Sequence, residues 1–222
     1  AGSRLPSYTD LYYSDYSNQG NPNLTTEYGW SAETGVRYQS PFMKFQLTYF
    51  YRQVTNQIDF TKGYVNSVDA DKWYPVNIGL AQIAGTEFQL TGNLQEWLGL
   101  ENARFAIAQW GLRSNFIKSS LDNSEYISKY VYNQLNQQHL AFIGLRTGRH
   151  VQHQLTYRGI ERAGNPFIHL LDWRTSVHIR QWSFFADISN LSDQKYSLSG
   201  DVLLPGRWYQ IGVQFQLLND VR

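Results

Sequence analysis

The 222-residue chain contains no cysteine, which removes disulfides, thiolate metal ligands and cysteine nucleophiles together. No apolar run approaches 20 residues, so no segment reads as a transmembrane helix. A chain with this pattern crosses a bilayer only as a closed barrel, where every backbone group pairs. Net charge is +1 with both signs mixed along the chain, which leaves no basic tract for a nucleic-acid partner. No charged n-region with an apolar core stands at the N-terminus, so an export signal would have been removed or lie upstream of Ala1. Catalytic signals are missing as well: there is no Gly-x-Ser-x-Gly, His-Glu-x-x-His or phosphate-binding loop, and the expectation is a protein that is not an enzyme.

What is present is aromatic and alternating. Hydrophobic residues make up 42% of the chain, with 16 Tyr, 12 Phe and 7 Trp. That is enough apolar material for an ordered structure, and amphipathic rings gather where headgroups meet hydrocarbon. A mean hydropathy of −0.47 fits a barrel with a polar interior. Trp30, Ala32, Thr34, Val36 and Tyr38 share one parity, opposite Ser31, Glu33, Gly35 and Arg37. Met43, Phe45, Leu47, Tyr49 and Tyr51 repeat the pattern, with Phe50 as an exception. Val151 to Tyr157, Leu171 to Ile179, Trp182 to Ile188 (Phe185 out of phase) and Tyr209 to Phe215 follow it too. Residues 100–116 and 137–146 carry apolar side chains on both parities, as a bulge or an internal packing contact would produce.

The spacing predicts nine antiparallel strands near 28–39, 42–55, 76–91, 101–115, 137–146, 151–159, 169–180, 183–189 and 207–217. Long connections at about 4–27, 55–75, 116–136, 159–168 and 190–206 alternate with mostly short joints at 39–42, 92–100, 147–150 and 181–182. Outer-membrane barrels show this asymmetry of long external loops and tight periplasmic turns. Single-chain bacterial barrels have even strand numbers, and open edges in lipid are costly, so nine strands predict that further strands come from elsewhere.

Four runs carry a family resemblance: Arg4-Leu-Pro-Ser-Tyr-Thr-Asp-Leu-Tyr-Tyr13 with Gly20-Asn-Pro-Asn-Leu24; Pro75-Val-Asn-Ile78 with Ala84-Gly-Thr-Glu-Phe88; Asp187-Ile-Ser-Asn-Leu-Ser-Asp-Gln-Lys-Tyr196; and Pro205-Gly-Arg-Trp-Tyr209. In this order and spacing the chain resembles the TonB-dependent outer-membrane receptors, and the first run looks most like their cobalamin-receptor members. Two departures are visible, Ser192 where the family pattern has an aromatic and Gln216 to Arg222 following Phe215, where such receptors tend to end on an aromatic. The resemblance implies an all-β fold, with residues 1–222 as the C-terminal part of a 22-stranded transmembrane β-barrel in the bacterial outer membrane. It also implies that the plug domain and TonB-binding segment lie outside this chain. The implied partners are outer-membrane lipid, an N-terminal barrel and plug portion, TonB acting through that plug, and a small-molecule nutrient: cobalamin first, then heme or a ferric siderophore. The rival expectation is a receptor-derived barrel piece that serves as a structural or docking subunit and transports nothing.

Candidate ligand contacts are the loop aromatics Tyr12, Tyr13, Tyr16, Tyr64, Trp73, Tyr74, Tyr126, Tyr130 and Tyr132, which suit a planar ligand or, equally, an interfacial belt with loop-to-loop packing. Glu33, Arg37, Arg52, Glu87, Arg158, Arg174, Arg180 and Asp187 fall on the polar parity. They are expected to form a hydrated ladder of interior charges, or to contact the plug or steer an anionic ligand. Among five histidines only His169 lies near an external loop, and the expectation for all five is structural. Asp69, Asp71, Asp122 and Glu125 have no EF-hand spacing and read as solvated charge, so neither a metal nor a cofactor is expected.

Overall fold

The computed structural model describes residues 1–62, 71–97, 99, 105–121, 127–128, 134–198 and 202–217. In chain order the elements are β1 (Gly2–Arg4), α1 (Tyr8–Tyr12), β2 (Glu27–Gln39), β3 (Met43–Lys62), β4 (Tyr74–Gly92), α2 (Leu94–Trp97), β5 (Phe105–Leu121), β6 (Ile127–Ser128), β7 (Leu135–Thr147), β8 (Val151–Arg162), β9 (Ile168–Ile179), β10 (Trp182–Ser189), β11 (Tyr196–Ser197), β12 (Leu203–Leu204) and β13 (Trp208–Phe215). Nine long strands pair with their sequence neighbours in one antiparallel sheet, in the order β1-β2-β3-β4-β5-β7-β8-β9-β10-β13. The two-residue β6 joins β3 at the loop end, and β11 pairs with β12 apart from the main sheet.

Register turns the alternation into two faces, because directly opposed residues of antiparallel strands point the same way. One row runs Tyr38, Phe45, Leu90, Leu112, Ala141, Tyr157, Leu171 across seven strands. The next row on the other face reads Arg37, Gln46, Gln89, Arg113, Leu140, Arg158, Leu170. A sheet apolar on one side and polar on the other suits lipid outside and water inside.

The irregularities have local causes. In β5 the register shifts between Ile107 and Gln109, leaving Ala108 as the extra residue. Apolar side chains therefore change parity there, from Ile107 opposite Leu145 to Trp110 opposite Ile143. The out-of-phase phenylalanines follow a second rule. Phe50, Phe142 and Phe185 stand directly opposite Gly85, Gly111 and Gly212. A Cβ added at any of these glycines would overlap the phenylalanine ring, so each ring lies flat across the neighbouring strand and covers backbone that glycine leaves bare.

Several strands run further towards the long loops than alternation predicts: β3 continues to Lys62, β5 to Leu121 and β8 to Arg162. At about 3.3 Å per residue, the 20 residues of β3 span roughly 66 Å, far more than an apolar band of about 25 Å requires. The buried core gathers at this end, in Val54, Ile58, Val76, Ile78, Ala81, Ile160, Ile168 and Leu170. Much of the predicted 55–75 loop is thus a packed hairpin. Two short helices, α1 and α2, stand where loops were expected.

Candidate ligand-binding rim

Two polar knots fix the loop end. In the first, Ser7 caps α1 and its hydroxyl accepts from the Asp10 amide at 3.2 Å, while Asp10 Oδ2 accepts from the Ser7 amide at 2.9 Å. The buried Asp10 carboxylate also takes the Arg4 guanidinium at 2.9 Å, and Arg4 reaches on to Glu27 at 3.3 Å. Glu27 Oε2 accepts from the Ile58 amide at 3.1 Å, which ties the knot to β3. Gly20 is required here, because a Cβ would sit 2.7 Å from backbone atoms of Leu11 and Tyr12.

Residues 15–27 then strap across the β3–β4 hairpin. Asn21 donates from Nδ2 to the Pro75 carbonyl at 2.9 Å. Asn77 Oδ1 accepts from the Thr25 amide at 2.8 Å, while its Nδ2 donates to the carbonyls of Thr25 at 3.0 Å and Asn56 at 2.8 Å. Backbone bonds from Gln19 to Trp73 (3.0 Å) and from Trp73 to Ser17 (2.8 Å) complete the strap.

The second knot joins β8, β9 and the chain between β10 and β13. Arg158 grips Asp172 through both carboxylate oxygens at 2.7 and 3.1 Å, and Asp172 Oδ1 also accepts from the Asn190 amide at 2.9 Å. Asn190, buried and at φ 54°, accepts from Ser192 Oγ and the Gln194 amide and donates to the Gln194 carbonyl. Asp193, also at φ 54°, accepts from the Arg207 amide at 2.7 Å, and the Arg207 guanidinium returns to the Leu191 carbonyl at 2.6 Å.

Around the strap sit Tyr12, Tyr13, Tyr16, Trp73 and Tyr74 from the predicted set. Tyr12, Tyr13 and Tyr16 are exposed, Tyr16 at 95%, and Tyr8 packs against Tyr12 with ring centroids 5.5 Å apart. The phenol of Tyr13 donates to Asp15 at 3.0 Å, and this bond holds the Tyr13 pKa above its ordinary value. For Asp15, desolvation is the largest single influence and acts upward, but the bonds from Ser17, Asn18 and Tyr13 together outweigh it, so its pKa lies below the usual carboxylate value. Trp73 stacks under the Lys62 ammonium at 5.1 Å, and the Tyr74 carbonyl accepts from Thr61 Oγ1. The backbone of 17–19 against Trp73 brings these two groups to one end of the sheet. Tyr64, Tyr126, Tyr130 and Tyr132 lie outside the described residues, as do Asp69, Asp122 and Glu125.

By register Glu33, Arg37, Arg52, Glu87, Arg158, Arg174 and Asp187 share the polar face. Arg174 reaches Asp187 at 3.5 Å and covers the Phe185 ring at 4.6 Å. Arg180 departs from expectation: it is not in a strand but in the two-residue turn between β9 and β10, at φ 53°. His139, His153 and His169 lie on the apolar face, each hydrogen-bonded to a hydroxyl, of Ser114, Thr175 and Tyr157 respectively. The knot hubs Asp10, Asn21, Asn77, Asp172, Asn190 and Asp193 were not among the predicted site residues. All but Asp172 nevertheless belong to the four sequence runs, which mark the rim's framework.

The family profile described as "TonB dependent receptor-like, beta-barrel" matches residues 2–220. The chain belongs to the TonB-dependent receptor family. Among curated relatives, the vitamin B12 transporter BtuB of Vibrio vulnificus (strain YJ016) is 31% identical over 88 residues, which is 40% of this chain and 13% of the transporter. Among solved structures of similar fold, the copper transporter OprC superposes with a TM-score of 0.74 at 14% identity, over 96% of this chain and 35% of its own. The siderophore receptor PirA of Pseudomonas aeruginosa gives 0.64 at 17% identity, over 90% and 32%. The chain thus spans about a third of the length of these receptors.

Proposed function

We propose that this chain forms wall strands and external loops of an outer-membrane receptor that takes up a scarce nutrient with energy from TonB, cobalamin being the first candidate. The observation that carries this reading is the rim: two knots hold the framework rigid while Tyr12, Tyr13 and Tyr16 stay exposed at the end where the long loops gather. Fixed scaffold beneath exposed aromatics suits capture of a large, flat, partly apolar ligand. Identity with a vitamin B12 transporter over 88 residues supports cobalamin within that class. On this reading the edge of β2 that β1 leaves uncovered and the edge of β13 pair with strands of the remaining receptor, and the polar face, including Glu33, Arg37, Arg52 and Glu87, lines a hydrated interior around a plug. No chemistry is done on the ligand.

The test is titration of the complete receptor with cyanocobalamin, hemin and a ferric siderophore. Saturable cobalamin binding at micromolar concentration is expected, weakened at least tenfold when Tyr12, Tyr13 and Tyr16 are replaced together by alanine. Binding of hemin or the siderophore instead would replace the ligand, and binding of none of the three would overturn the uptake reading.

A further inference from the structure

The end of the sheet away from the loops carries a separate feature. The turn at 148–150 and the two-residue turn Arg180-Gln181 are neighbours, because β8 and β9 pair from Val151 opposite Val177. His150 and His178 extend that pairing: the His178 amide donates to the His150 carbonyl at 2.9 Å, and His150 Nδ1 lies 2.9 Å from the His178 carbonyl. Arg149, His150, His178 and Arg180 are all exposed. Residues 146–151 and 177–183 contain no Asp or Glu, so these turns hold a local excess of positive charge with no counter-ion among them. Elsewhere on the sheet, arginines such as Arg158 and Arg174 face an aspartate across a strand.

Two further observations point to what supplies the missing negative charge. On the apolar face directly beside the Arg180 turn, Trp182 packs on Phe215 at 4.6 Å and on Phe184 at 6.2 Å, and these rings are all about half exposed. An indole two residues from Arg180, with its phenyl neighbours at the edge of an apolar band, matches the boundary between acyl chains and headgroups. Arg180 also sits at φ 53° in a two-residue hairpin, where glycine or asparagine is the easier residue, so the turn keeps an arginine at a conformational cost.

We propose that these paired turns bind the phosphate of an anionic phospholipid in the periplasmic leaflet. Arg149 and Arg180 supply charge and planar donors, His150 and His178 further polar contacts, and Trp182 with Phe215 supports the upper acyl chain. The inference rests on the outer-membrane reading, which places the short turns on the periplasmic side.

The complete receptor, wild type and R149Q/R180N, is inserted into nanodiscs of phosphatidylethanolamine with a minor share of phosphatidylglycerol. Co-released lipid is then counted by native mass spectrometry. Asparagine at 180 suits the left-handed turn, and unchanged heat modifiability confirms that the variant is folded. Wild type is expected to retain phosphatidylglycerol over phosphatidylethanolamine, and the variant to lose that preference by roughly 25-fold, at about fivefold per arginine. Equal retention by both proteins overturns the proposal and leaves the barrel reading intact. Displacement of the lipid by millimolar glycerol phosphate overturns it in favour of a soluble phosphate site. Failure of the wild type to enter bilayers overturns both readings.

Discussion

The two halves of the sheet are built on different principles. At the loop end, the β3–β4 hairpin and the starts of β9 and β4 bury side chains on both faces: Leu170 is 1% exposed, and Asp59 and Thr61 are fully buried. Towards the turn end, Leu47, Leu112, Phe184 and Val213 stay exposed along one face. The first half has a core of its own, closed by the strap and the two knots. The second has alternation in place of a core, and its apolar face stays exposed along the sheet. Packing therefore sets tolerance to change at one end, and facing direction sets it at the other.

The most damaging change should be one that attacks facing direction. Inserting one alanine between Leu112 and Arg113, in the regular part of β5, turns Ile107, Trp110 and Leu112 onto the polar face while the strand from Arg113 onward keeps its pairing. Little heat-modifiable receptor should be recovered, and near-normal recovery would mean that facing direction does not set tolerance in this half. Next comes the contrast between a core leucine and a lipid-facing one. Leu170→Ala should destabilise by about 3 kcal/mol, and Leu112→Ala by less than about 1 kcal/mol, in urea unfolding of the receptor in micelles. Equal shifts would erase the distinction between the halves.

Glycines sharpen it further. Gly20→Ala pushes a Cβ into backbone of Leu11 and Tyr12 and should cost about 2 kcal/mol, seen as faster proteolysis within residues 1–26. Gly212→Ala meets only the Phe185 ring, which can swing towards the polar side, so about 1 kcal/mol or less is expected. The smallest effect concerns pH. Asp15 has a lowered pKa in the folded state, so its contribution is present above the usual carboxylate range and is lost as pH falls through the folded value. Protection of the Ser17 and Asn18 amides, measured against the intrinsic exchange rate at each pH, should fall on acidification in wild type, and D15N should abolish that dependence.

Alternation made most of the turn half legible from sequence, since one apolar face and one polar face dictate every second residue from Trp30 to Tyr38 and from Trp182 to Ile188. It lost its power in two circumstances. At Ala108 a single extra residue changed the parity, and without a partner strand nothing marks which residue is extra. Phe50, Phe142 and Phe185 obey a cross-strand pairing with glycine that is visible only once register is known. The loop half was less legible, because burial on both faces removes the period-two signal and let β3 pass for a loop beyond residue 55. The rim showed the reverse pattern. Asp10, Asn21, Asn190 and Asp193 lie in the sequence runs that carry the resemblance, yet their task is to cap, strap and turn; Tyr12 and Tyr13 close the first of those runs, whereas Tyr16 lies outside it.

The division of the sheet is tested most directly along β3, which crosses from one half to the other. Because this chain lacks cysteine, single cysteines at each position from 43 to 62 can carry a nitroxide, read in the complete receptor in bilayers for collision with oxygen and with a water-soluble nickel chelate. Oxygen accessibility should alternate with period two from Met43 to Tyr51, highest at odd positions. From Ile58 to Thr61 accessibility to both reagents should be low, with no alternation. Alternation that continues unchanged to Lys62, or its absence between Met43 and Tyr51, would contradict the account.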